Sequence, residues 1–138
     1  MSFGLGACPD SSESTLCDDR HVPERVLIVD DHAPFRSLAR AVLQVEGFEV
    51  VGEAADAVSA LEAARRLRPS VVLLDIQLPD LDGFEVARRL AAGVNPPAIV
   101  LVSSRDRMSY RRRLAESPAR GFISKAELSG AAVAALVG

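Results

Sequence analysis

Tryptophan is absent from these 138 residues, tyrosine occurs once, and aromatic residues make up 4% of the chain. With 49% hydrophobic content, a core can still form, and it must be aliphatic, built from Val, Leu, Ile and Ala. Net positive charge is lacking as well. A balance of −3 argues against a nucleic-acid groove as the main function and against direct nucleic-acid binding by this chain. No apolar run approaches the length of a membrane span. The amino end lacks the basic start and apolar middle of a secretory signal, so a cytoplasmic protein is expected. Cysteine is scarce: Cys8 and Cys17 both lie in a polar amino-terminal stretch. A disulfide framework is not expected there; two thiols could form a metal pair, but without histidine support they are weak evidence for one and read as incidental. Lysine is scarcer still. Lys125 stands alone among sixteen basic residues, the rest being arginine.

What is present is an alternation. Residues 1–24, rich in Ser, Asp, Gly and Cys, show no periodicity and read as a flexible leader. From Arg25 to the carboxyl end, strands and helices alternate, which predicts one domain over 25–138. Strands are expected over Arg25–Asp30, Glu49–Ala54, Ser70–Asp75, a fourth ending at Ser103, and Gly121–Ser124. The first helix carries Pro34 in its first turn, buries Phe35, Leu38, Ala39, Val42 and Leu43, and stops at Gly47. The second is capped by Asp56 and turns Val58, Leu61, Ala64 and Leu67 inward. The third buries Phe84, Ala87, Leu90 and Ala91. A fourth, about Asp106–Ser117, is poorly amphipathic, with Tyr110 and Arg111-Arg112-Arg113 on a solvated face. A last helix is expected near Ser129–Val137. Continuous apolar strands fit a sheet buried on both faces. The expected fold is therefore α/β, a five-stranded parallel sheet of order 2-1-3-4-5, doubly wound in the flavodoxin-like manner.

Each apolar strand stops at a polar residue. Val26-Leu27-Ile28-Val29 stops at Asp30-Asp31, Val71-Val72-Leu73-Leu74 at Asp75, and Ala98–Val102 at Ser103-Ser104. Gly121–Ser124 stops at Lys125. In a parallel sheet these ends share one edge, where open α/β folds keep their sites. Crowded aspartates repel, and a divalent cation relieves them; oxygen ligands with water-filled positions suit Mg²⁺. Asp75 is the best nucleophile, since a carboxylate can accept a phosphoryl group as an acyl phosphate. Lys125 would add a positive charge, Ser103 a hydroxyl, and Ser104 a small residue that leaves access for a donor. A chain that uses Arg everywhere but here needs a compact point charge at this position. His32, beside the acid doublet, reads as a solvated or capping residue.

The joint pattern resembles the receiver domain of two-component response regulators. The resemblance runs from Arg25 to the carboxyl end. It is carried by Val-Leu-Ile-Val-Asp30-Asp31-His32, Leu-Leu-Asp75-Ile-Gln77-Leu-Pro79-Asp-Leu-Asp-Gly83, Val-Leu-Val-Ser103-Ser104 and Gly-Phe122-Ile-Ser-Lys125. The resemblance implies that Asp75 is the phosphoacceptor. Asp30, Asp31 and Asp75, with the backbone carbonyl of Gln77, would hold Mg²⁺. Ser103, Ser104 and Lys125 would bind phosphate, Ser103 and Phe122 being the switch pair. A sensor histidine kinase is the implied donor. The face of the fourth helix, fifth strand and fifth helix is the implied output surface. The chain would be no enzyme, only assisting its own phosphotransfer and dephosphorylation.

The start Asp31-His32-Ala33-Pro34 is similar to receivers of NarL/LuxR-type regulators, which carry a helix-turn-helix output domain. None follows Gly138, so a stand-alone receiver or the receiver of a longer regulator is expected, acting through a DNA-binding domain or a separate output protein. The oligomeric state, homodimer included, stays open. Two other readings compete. A haloacid-dehalogenase-like phosphatase shares the Asp, Mg²⁺, Ser and Lys, but needs a second Asp where Gln77 stands. A pseudo-receiver would be a phosphate-independent interaction module, against which the intact Asp30, Asp31, Asp75 and Lys125 count.

Overall fold

The computed structural model describes residues 22–138. The expected leader, and Cys8 and Cys17 with it, lies outside the described residues up to position 21. Five strands, β1 (Arg25–Val29), β2 (Glu49–Ala54), β3 (Val71–Asp75), β4 (Ala98–Ser103) and β5 (Gly121–Ser124), form one parallel sheet in the order β2-β1-β3-β4-β5. Helices α1 (Ala33–Glu46), α2 (Ala57–Leu67), α3 (Gly83–Ala91), α4 (Arg111–Ala115) and α5 (Gly130–Val137) connect and follow them.

The sheet divides the core in two, by the alternation of side chains along each strand. Leu27, Val29, Val72, Leu74, Ile99 and Leu101 face α2 and α3. Val26, Ile28, Val71, Leu73, Val100 and Val102 face α1 and α5. Both sets are buried, so the strands show apolar runs and not a polar–apolar alternation.

Helix boundaries follow local chemistry. Gly47 ends α1 at φ 105°, a left-handed conformation that costs glycine little. Asp56, Asp82 and Ser129 cap α2, α3 and α5, each side chain accepting a backbone N–H of the first turn. Two helix faces differ from expectation. Leu38 is 52% and Val58 71% exposed. In α2 the alanines Ala57, Ala60 and Ala63 face the sheet, while Leu61 and Leu67 pack at its flank. Small residues let the helix approach the sheet closely, a preference that a search for large apolar residues misses.

The fourth helix differs most. It is short, and a 3₁₀ turn over Arg107–Tyr110 precedes it. Tyr110 joins the two with φ −123° and ψ 15°, outside regular helix geometry. Its side chain is not on a solvated face: it is 7% exposed, between Phe84 and Phe122. The spacing of Tyr110 and Leu114, one helical turn apart, was the available signal, hidden by the surrounding arginines.

Candidate phosphoacceptor site

Three strands leave the sheet through the same local turn. Asp30 Oδ1 accepts the N–H of His32 at 2.8 Å, and Asp75 Oδ1 accepts that of Gln77 at 3.1 Å. Ser103 Oγ accepts that of Arg105 at 3.1 Å. Short side chains that bond the backbone two residues on are the standard chemistry of such exits. The consequence here is orientation. One oxygen of each buried aspartate is committed to its own loop, and the other is left for the site.

Those free oxygens meet Lys125. Its Nζ lies 2.6 Å from Asp30 Oδ2 and 3.6 Å from Asp75 Oδ2. The same ammonium sits over the ring of Phe35, 4.6 Å from the centroid, so α1 supplies the floor on which the lysine rests. Asp30 is fully buried, and no directed hydrogen bond reaches its Oδ2 despite the nearby charge. Carboxylate oxygens of Asp30, Asp31 and Asp75 all lie within 4.8 Å of one another, with Asp31 exposed at the mouth. A buried oxygen met only by the Lys125 ammonium, two more carboxylates and an all-oxygen donor set fit a hard divalent cation. Arg36, which the sequence reading left out of the site, donates from Nη1 to the backbone carbonyl of Asp30 at 2.6 Å and from Nε to Glu53 at 3.0 Å. It braces the turn at the end of β1.

Burial, and next the charge of Asp30, push the Asp75 carboxyl up to about 6; the Gln77 N–H and Lys125 oppose the rise, and Asp31 adds to it. Because the folded value is raised, this group stabilises the metal-free fold below its ordinary value of 3.8, and that contribution is lost as pH rises through about 6. A cation must displace the same proton. Below pH 6 the Mg²⁺ dissociation constant is therefore expected to rise by up to about tenfold per pH unit, and to level off above it, as read by calorimetric titration. A flat profile between pH 5 and 7 would contradict the raised value.

The loop after Asp75 is held on both sides. Asp80 accepts the N–H groups of Ala57 and Val58, at 2.8 and 3.1 Å, across the start of α2. Asp82 caps α3 and pairs with Arg113 of α4, whose guanidinium also covers the Phe84 ring at 4.3 Å. Gly83 approaches the strand exit so closely that a Cβ there would lie 2.4 Å from the carbonyl oxygen of Asp75.

All the residues expected at the strand ends, Asp30, Asp31, Asp75, Ser103 and Lys125, lie at the carboxyl-terminal edge, where the strand order reverses between β1 and β3. Ser103 is buried, Ser104 exposed, and Gln77 exposed in the loop. Phe122 is 4% exposed and packs 6.1 Å from Tyr110, centroid to centroid. Ser103 Oγ lies 3.1 Å from the Tyr110 hydroxyl, a contact not anticipated from the sequence.

This edge, on this strand order, belongs to a class of doubly wound signalling domains, and a family model confirms which. The response regulator receiver domain matches residues 26–136, and the chain belongs to that family. Among its relatives is the virulence-factor transcription regulator BvgA of Bordetella pertussis, 39% identical over 103 residues, which are 75% of this chain and 49% of that protein. Protein-glutamate methylesterase/protein-glutamine glutaminase 5 of Myxococcus xanthus is 49% identical over 83 residues, 59% of this chain and 24% of that protein. The signal receiver domain of NarL from Mycobacterium tuberculosis superposes with a TM-score of 0.74 at 32% identity, covering 84% of this chain and 98% of that one. The chain thus spans about half the length of BvgA, and a smaller part of the methylesterase. No helix among the described residues is long and apolar enough to cross a membrane.

Proposed function

We propose that this receiver is a phosphorylation-dependent switch, with Asp75 as the phosphoacceptor, Mg²⁺ as cofactor and a sensor histidine kinase as donor. One observation carries the reading: three carboxylates within 4.8 Å of one another face the chain's only lysine, at the end of the strands. The Asp75 carboxylate attacks phosphorus, the phosphorus–nitrogen bond of a phosphohistidine breaks, and the imidazole, already protonated on its other ring nitrogen, leaves as the neutral ring. An acyl phosphate remains on Asp75. When bound by Asp30, Asp31, Asp75 and the Gln77 carbonyl, Mg²⁺ supplies charge neutralisation. Lys125 exchanges its contact with carboxylates for a phosphoryl oxygen, Ser103 donates its hydroxyl to another, and Ser104 leaves room for the donor.

Output follows from a two-state equilibrium biased by those new contacts. The surface of α4, β5 and α5, with Ser103 and Phe122 beneath it, is the part that changes its partner preference. We assign residues 25–138 to the receiver and 1–24 to a leader, in a cytoplasmic protein. BvgA is a transcription regulator and the Myxococcus relative a methylesterase. The output, a DNA-binding domain or a separate protein, is thus a property of what the receiver is joined to. Incubation with acetyl phosphate and Mg²⁺ is expected to add one phosphoryl group per chain by intact mass, and chelation with EDTA to prevent it. Labelling that proceeds undiminished in EDTA would reject the metal assignment.

A further inference from the structure

We propose that Tyr110 is a second switch aromatic: its phenol holds the Ser103 hydroxyl at rest and is released when that hydroxyl turns to a phosphoryl group on Asp75. The inference rests on the phosphoacceptor reading above and adds a path by which the event at Asp75 reaches α4.

Ser103 Oγ has two neighbours, the N–H of Arg105 and the Tyr110 hydroxyl, each at 3.1 Å. Among the described residues the Tyr110 hydroxyl bonds to nothing else. Both residues are buried, at 0% and 7% exposure. A serine hydroxyl owns one proton, and a phosphoryl oxygen can only accept. A phenol could still donate to Ser103 Oγ in place, so the contact is lost by movement: as Ser103 rotates to donate to the phosphoryl group, Oγ swings away from the Tyr110 hydroxyl. The phenol is then a buried polar group without a partner, which the fold tolerates poorly. The tyrosine must leave its niche to regain a partner in water.

The surroundings permit that motion and give it a direction. Tyr110 lies between Phe84 of α3 and Phe122 of β5, with tilted rings 5.9 and 6.1 Å away. Its backbone is the joint between the 3₁₀ turn and α4. The turn is anchored elsewhere by Arg107, which donates to the Phe122 carbonyl at 3.1 Å and covers that ring at 5.7 Å. Movement of Tyr110 therefore swings the segment from Tyr110 to Ala115 about Arg107 and loads the Arg113–Asp82 pair that holds its far end. Phe122 is buried as well but has no polar atom to leave unpaired, so the aromatic group with a reason to move is Tyr110.

The chain provides its own probe, since Tyr110 is its only tyrosine and there is no tryptophan. Mg²⁺ with beryllofluoride, an acyl-phosphate mimic, is expected to raise acrylamide quenching of the tyrosine emission severalfold. In Ser103→Ala the emission should be readily quenched from the start and should not respond. Tyr110→Phe strands no polar group, so it should bind beryllofluoride about 2- to 10-fold more tightly, the worth of one net hydrogen bond. Bound beryllofluoride is followed separately by ¹⁹F resonance. Binding with unchanged shielding of Tyr110, or unchanged or weaker binding by Tyr110→Phe, would overturn the inference while leaving Asp75 as the acceptor. Failure of the wild-type chain to bind beryllofluoride at all would reject both.

Discussion

Asp75→Asn is expected to take up no phosphoryl group from acetyl phosphate, at any Mg²⁺ concentration, while melting at a higher temperature than the wild type in metal-free buffer at pH 8. The first effect is chemical. An amide oxygen is a far weaker nucleophile than a carboxylate and forms no stable acyl phosphate. The second is electrostatic. Burial and the neighbouring Asp30 make ionised Asp75 unfavourable in the fold, which is why its carboxyl is raised to about 6. A neutral amide of the same shape removes that cost, and it keeps an oxygen to accept the Gln77 N–H, which lies 3.1 Å from Asp75 Oδ1. Loss of function with gain of stability is the signature of a site that stores repulsion for later use. A variant labelled as fast as the wild type, or a phosphoryl group mapped to another residue, would remove Asp75 from the mechanism. A lower metal-free melting temperature would show that the Lys125 contact outweighs the repulsion.

Gly83→Ala is expected to lose much stability for a single added methyl group. The added Cβ would lie 2.4 Å from the Asp75 carbonyl oxygen and 2.7 Å from the Ile76 Cα. These are backbone atoms of the strand exit, and Gly83 itself donates its N–H to the Ile76 carbonyl at 2.8 Å. No rotamer can relieve the clash; α3 or the end of β3 must shift. Forced overpacking of this kind costs about 3 kcal/mol. For a domain of this size that corresponds to a melting temperature lower by about 10 °C. Because the displaced atoms carry Asp75, phosphorylation should slow as well, even below the melting transition. Gly93→Ala is the control: its nearest neighbour would be Leu90 O at 3.6 Å, an ordinary contact. Equal melting of the two variants would show that the strand exit yields more easily than its geometry implies.

Strand order and the site edge were legible in the sequence for one reason. Both faces of the sheet are covered, so each strand is an uninterrupted apolar run, and its end is marked by the first residue able to bond the backbone beyond. Asp30, Asp75 and Ser103 are such residues, and they are also the side chains gathered at the candidate site. Lys125 was legible by rarity. Helix faces were less so. Hydrophobic size singled out Val58 for burial, but α2 rests on its alanines. Tyr110 was hidden because the arginines around it are long. Arg107 and Arg113 lie over aromatic rings and bond to distant oxygens, so a stretch that reads as solvated is held down by its own charges. The braces from Arg36 to Glu53 and from Asp80 to Ala57 join residues 17 and 23 positions apart, and pattern reading has no access to them.

The clasps on either side of the loop after Asp75 have a mechanical meaning. Asp80 occupies the first N–H groups of α2, and Asp82 occupies the first turn of α3 while gripping Arg113. To slide this loop by a few ångströms would uncap two helices together. It therefore behaves as a stiff bracket, guyed to α2 on one flank and to α4 on the other. A load applied at its root is not absorbed locally but is delivered along whichever guy yields first.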